Sequence, residues 1–138
     1  MSQIEVDKVI PQSGTNLQIG EAGDTVNLTT ATVNLPTGVG GTSWQAVKTA
    51  NFTAVAGEGY FINTTSSAIT ATLPSSASIG NEVSFIDYAG TADTNNITIG
   101  RNGHNIQGSA ADMTVTTERA GFTLVYVDAT QGWLLRDK

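Results

Sequence analysis

The sequence contains no cysteine, which removes disulfides, thiolate metal sites and a cysteine nucleophile together. It contains a single histidine, His104, so general acid–base chemistry near neutral pH has little to work with. Basic residues are scarce. Only 6 Lys and Arg stand against 12 Asp and Glu, a formal net charge of −6. With a pI near 4.4 and no basic stripe, nucleic acid is not an expected partner. No apolar run approaches the roughly 20 residues that cross a bilayer, so no membrane partner is expected either. The opening segment, MSQIEVDKVIPQSG, lacks the basic and apolar stretches of a secretory signal. It points to synthesis in a cytoplasm.

What the chain does have is apolar and β-forming. Of its 138 residues, 39% are hydrophobic and only 13% charged, the reverse of the balance that keeps a chain disordered. Threonine is unusually common, with 21 residues, and is accompanied by 15 Gly, 10 Asn and 10 Ser. Threonine is β-branched and favours strands, while Gly and Asn supply the positive-φ positions of tight turns. The composition predicts an all-β chain with many turns.

Three regions follow from the pattern: an extended arm over 1–14, a short stalk with a glycine hinge over 15–41, and a head over 42–138. In the arm, Ile4, Val6, Val9 and Ile10 flank charges and end at Pro11. An extended strand of this kind can add to the edge of another protein's sheet, so these four are the candidate attachment residues. In the stalk, apolar residues come in period-two pairs: Leu17 and Ile19, Val26 and Leu28, Val33 and Leu35. The tetrad Thr-Val-Asn-Leu occurs at 25–28 and again at 32–35. Two apolar side chains per rung, at about 1.5–3 kcal/mol each, do not offset the ordering of an isolated segment. Such rungs pack against something else, and symmetry-related copies arranged as a β-prism are the economical partner. The alternative is a loose tail with chance alternation. Trp44, just past the glycines at 38, 40 and 41, stands where stalk meets head and either closes a subunit junction or lies in the core; an exposed Trp44 or Trp133 could instead stack on a sugar ring.

The head reads as a succession of strands near 43–49, 51–55, 59–64, 68–73, 82–88, 96–100, 112–116, 122–128 and 132–135. Turn clusters such as Pro74-Ser75-Ser76 and Asn102-Gly103 separate them. Strands at this spacing predict a β-sandwich, a jelly roll or a small barrel, with Phe85, Phe122, Tyr126 and Trp133 as its largest core side chains.

Several fragments of the head occur in a familiar order. Gly59-Tyr60-Phe61-Ile62 precedes Ala71-Thr72-Leu73-Pro74, followed by Gly80-Asn81-Glu82-Val83-Ser84-Phe85-Ile86-Asp87 and Asn95-Asn96-Ile97-Thr98-Ile99. Arg101-Asn102-Gly103-His104-Asn105-Ile106-Gln107-Gly108, then Phe122-Thr123-Leu124-Val125-Tyr126 and Gly132-Trp133, complete the set. Over about residues 57–135 this succession resembles a β-rich module near the C-termini of tail-fibre, head-fibre and other virion proteins of tailed bacteriophages. The resemblance implies a homotrimeric protein of the virion surface that is not an enzyme. The trimer interface would then use Leu17, Ile19, Val26, Leu28, Val33, Leu35 and Trp44. The near-absence of a shaft favours capsid decoration or a head fibre, docked on the major capsid protein or another virion protein, over a complete tail fibre. A short tail-fibre module binding a host surface receptor or glycan is the alternative.

No cofactor is expected. His104 has no second His or Cys to join it at a metal and reads as an exposed turn residue. Asp87, Asp93, Asn95 and Asn96 lack the ligand spacing of a calcium loop. Glu58, Glu82, Asp87 and Asp112 are read as a solvated acidic surface rather than a glycosidase pair. Four acids and no base fall between Lys48 and Arg101, which predicts a negative face. The four Asn-x-Ser/Thr triplets, at Asn27, Asn51, Asn63 and Asn96, are incidental in so threonine-rich a chain.

Overall fold

A computed structural model of the chain describes residues 41–136, all of which fall in the unit Leu35–Lys138. The arm residues Ile4, Val6, Val9 and Ile10, and the stalk residues Leu17, Ile19, Val26, Leu28, Val33 and Leu35, lie outside the described residues. Within them the chain forms nine strands: β1 (Ser43–Trp44), β2 (Phe52–Thr53), β3 (Glu58–Ile62), β4 (Ile69–Thr72), β5 (Glu82–Asp87), β6 (Ile97–Gly100), β7 (Met113–Val115), β8 (Gly121–Tyr126) and β9 (Trp133–Leu135). There is no helix among the described residues. Each strand falls inside or within a residue of a predicted segment. The first two are far shorter than their segments, because the chain leaves one sheet after Trp44 and reaches the other at Phe52. Only Lys48 makes an isolated bridge to Ile62 on the way.

The strands form two open sheets, β1-β3-β5-β8-β9 and β2-β4-β6-β7. From β1 to β6 the chain alternates between them, laying one strand in each. Every return is parallel to the strand before it: β1 with β3, β3 with β5, β2 with β4, β4 with β6. The chain then reverses, and β7, β8 and β9 add antiparallel. The first half is thus three coils of a two-sided winding, and the second half a cap of hairpin-like returns. A jelly roll is built from antiparallel strands; here four of the seven pairings are parallel. Alternation along a strand records which side chains are buried, not which strand lies alongside, so this pairing left no mark in the sequence pattern.

Alternation does account for the core. Ile69 and Ala71 of β4 are buried between half-buried Thr70 and Thr72, and Ile97 and Ile99 repeat the pattern in β6. From the other sheet come Tyr60, Ile62, Val83, Phe85, Leu124 and Trp133, and both sets join one cluster. In-register pairing aligns Tyr60 with Phe85 and Phe85 with Phe122. Their rings, with Phe52, form a chain at centroid distances of 4.7, 6.0 and 5.4 Å. Trp133 is fully buried, whereas Phe122 is only partly so. Tyr60, not among the predicted large core residues, is almost as buried as Trp133.

The outer edge of β9 is closed by the loop after β6. The Trp133 N–H donates to the Asn105 carbonyl at 2.9 Å, and the Gln107 N–H donates to the Trp133 carbonyl at 2.8 Å.

Candidate functional site

The pleat that turns Tyr60, Phe85 and Phe122 inward turns their neighbours outward. On the outer face of the five-stranded sheet, Trp44, Gly59, Ser84 and Thr123 lie in one row across β1, β3, β5 and β8. Phe61, Ile86 and Gly121 form the next row. Gly59 shapes this surface. A Cβ there would stand 2.6 Å from the Trp44 indole and 2.7 Å from the Thr42 methyl. Without one, the indole lies down on β3 and stacks on Phe61 at 4.8 Å with an interplanar angle of 29°. It remains 46% exposed.

Along the same row, the Ser84 and Thr123 hydroxyls are 2.9 Å apart and share a hydrogen bond. Both residues are buried despite facing outward. The row ends at Arg136, whose backbone N–H donates to the Thr123 carbonyl at 3.0 Å. The Arg136 guanidinium donates to the Glu82 carboxylate at 2.8 Å. Trp44, Ser84, Ile86, Gly121, Thr123 and Arg136 are among the residues lining a shallow trough of about 250 Å³. A second hollow, of about 340 Å³, opens between β7 and the β8–β9 pair and is lined by Met113, Val115, Phe122 and Leu135 among others. It lies at the β7 edge of the four-stranded sheet.

Of the residues singled out in the sequence, Trp44 is placed in the trough. The carboxylates are not placed together. Asp87 is buried rather than part of an acidic surface: its Oδ1 accepts the Gly90 N–H at 3.1 Å, and its Oδ2 accepts the N–H groups of Ala92 and Arg119 at 3.3 and 3.0 Å. This carboxylate ties two turns to the end of β5. Glu58 accepts the Tyr60 phenol O–H, and that phenol oxygen accepts the Val55 N–H at 2.8 Å. Burial first, and the Glu58 carboxylate second, hold the Tyr60 phenol well above its ordinary pKa. Glu82 is engaged by Arg136, and Asp112 accepts the Arg101 N–H at 2.9 Å. All four acids between Lys48 and Arg101 accept hydrogen bonds within the protein; the predicted negative face loses Asp87 to burial and is offset at Glu82 by the Arg136 guanidinium.

His104 is half-buried rather than exposed. Its Nε2 lies 3.1 Å from the Ser75 carbonyl, and its ring meets the edge of Tyr126 at 5.1 Å. Asn95 donates to the Thr64 carbonyl at 2.9 Å. Among the described residues, no three His, Cys, Asp or Glu converge on a point that suits a metal ion.

Gly59, Phe61 and the Ser84–Thr123 pair were not picked out by sequence reasoning. Gly59 and Phe61 occur in the Gly-Tyr-Phe-Ile fragment, but the two hydroxyls are 39 positions apart and meet only through sheet register. No protein-family model matches the chain, and no curated protein matches it.

Proposed function

We propose that this chain is a non-enzymatic structural protein of a tailed-phage virion, a homotrimeric capsid decoration or head-fibre protein. In this reading residues 1–14 dock on the major capsid protein or another virion protein, residues 15–41 form a trimeric β-prism stalk, and the strand-rich sandwich of residues 42–138 faces solvent at the virion surface. The resemblance of the ordered fragments over residues 57–135 to the phage virion module carries the proposal. The engagement of Asp87, Glu58 and Glu82 in internal bonds supports it, since side chains spent on holding a scaffold are not poised for proton transfer.

The test has two parts. Light scattering on the eluting protein should give a native mass three times 14.3 kDa. Deleting residues 2–12 should abolish binding to undecorated capsids while leaving the head's unfolding transition in place. A monomer, or a truncated protein that still occupies capsids fully, would refute the reading. The tail-fibre alternative gains one specific observation, the exposed aromatic of the trough.

A further inference from the structure

We propose that Asn102 is a site of spontaneous covalent modification, where the Gly103 amide nitrogen closes a succinimide ring on the Asn102 carboxamide, and that the modified turn releases the segment Leu73–Ser75. The proposal does not rest on the virion reading; it is carried by the turn that follows β6.

Closing that ring needs a following residue without bulk at Cβ, a backbone N–H free to lose its proton, and access for water. Asn102 and Gly103 meet each condition. Both are exposed, and a Cβ at Gly103 would find nothing within 4 Å. The Gly103 N–H has no acceptor among the described residues. Asn105 in the same loop marks the contrast. It precedes β-branched Ile106, which is buried and whose N–H donates to the Ser109 carbonyl at 3.0 Å. Two bonds restrain Asn102. The His104 N–H donates to the Arg101 carbonyl at 3.1 Å, closing a turn in which Asn102 and Gly103 have φ of +48° and +92°. The Asn102 Nδ2 donates to the Leu73 carbonyl at 2.8 Å. A bond of this kind slows the opening of the turn by roughly fivefold, so the two together delay the reaction without preventing it.

In the reaction the Gly103 nitrogen gives its proton to hydroxide and bonds to Asn102 Cγ. The Cγ–Nδ2 bond breaks, and Nδ2 leaves as ammonia with a proton taken from water. Water then opens the ring: at Cγ it leaves aspartate, and at the Asn102 backbone carbonyl it leaves isoaspartate, whose main chain is one methylene longer. Nothing is oxidised or reduced. Either product replaces an N–H donor by a carboxylate, so the carbonyl of buried Leu73 faces an anionic oxygen instead of its partner. Isoaspartate also lengthens the turn that positions His104, whose Nε2 lies 3.1 Å from the Ser75 carbonyl. Asn102 and His104 are two ends of one clasp on Leu73–Ser75, and the modification opens it.

The full chain is held in mildly alkaline buffer at physiological temperature, folded in one sample and unfolded in guanidinium chloride in another. Acidic species are resolved by ion exchange after desalting, and the tryptic fragment 102–119 is sequenced by mass against a sample digested at time zero. The folded chain should become about 1 Da heavier at Asn102, with isoaspartate detected by enzymatic methylation and Asn105 unchanged. Its rate should lie within roughly 25-fold of the unfolded chain's. Gly103→Ala should slow the conversion by roughly tenfold. If that variant does not fold, Asn102→Gln, which must close a larger ring, serves with the same expected slowing. The isolated aged protein and Asn102→Asp should both unfold at a lower urea midpoint than the parent. The proposal is overturned if the folded chain keeps Asn102 intact while the unfolded chain converts, or if the folded variant ages as fast as the parent. It is overturned equally if the aged protein and Asn102→Asp keep the parental midpoint, since the clasp is then not what the modification opens.

Discussion

At Gly132 the φ angle is +70°, and a Cβ would stand 1.8 Å from the Asn105 carbonyl oxygen. That same oxygen accepts the Trp133 N–H, so any side chain at 132 pushes away the contact that closes the edge of β9. Gly132→Ala should therefore cost about 3 kcal/mol or more, combining backbone strain with the lost bond. Gly103 has φ +92° but open space around the position of a Cβ. There the same substitution should cost only the conformational term, about 1–2 kcal/mol. Urea unfolding of the two variants separates sterics from φ preference, and equal losses would refute the argument. Asp87 offers a second test. Asp87→Ala leaves three backbone N–H groups without their acceptor, two of them at half-buried or buried residues. The expected loss is about 3 kcal/mol, with Asp87→Asn losing less because one oxygen remains. If Asp87→Ala unfolds at the parental midpoint, the carboxylate is not the staple described here.

Among the elements, stability follows position in the two sheets. β5 lies between β3 and β8 with partners on both sides and buries Val83, Phe85 and Asp87. β2 is two residues long and pairs only with β4, and β7 pairs only with β6. In native-state hydrogen exchange the slowest amides should lie in Val83–Asp87 and Phe122–Tyr126, and those of Phe52–Thr53 and Met113–Val115 should exchange far sooner. Equal protection at β7 and β5 would contradict this. The strands were legible in the sequence because short alternating runs end at turn residues, as Ile69–Leu73 ends at Pro74 and Ile97–Ile99 before Asn102-Gly103. Their arrangement was not, because a parallel return such as Ala71 beside Ile99 joins segments with another strand between them. The site divides in the same way. Trp44 was legible as an aromatic of interest, but its sequence left a core position and an exposed one both open, and the 46% exposure decides for the second. Gly59 reads as the first residue of a strand over 59–64 until the indole above it is seen, and Asp87 reads as a surface acid because its donors are backbone N–H groups, which carry no sequence signature.

For the molecule as a whole, the alkaline limit of stability should trace to one buried phenol. Tyr60 is 2% exposed, and its hydroxyl both accepts the Val55 N–H and donates to Glu58. Its pKa in the folded chain is raised above the ordinary 10.0, by burial first and by Glu58 next. The folded state therefore keeps the phenolic proton at pH values where the unfolded chain releases it. The stabilising contribution is complete below pH 10.0 and declines as pH rises beyond it, by about 1.4 kcal/mol per pH unit. Tyr60→Phe should be less stable than the parent at neutral pH, by about 1–3 kcal/mol, because the Val55 N–H loses its acceptor. Its own alkaline slope should be shallower by the one proton removed. Urea unfolding of both proteins at neutral pH and above pH 10 tests the sign directly. Parallel curves through the alkaline range would place the limiting group elsewhere, whereas curves that converge as pH rises identify Tyr60 as the group that must lose its proton before the two sheets part.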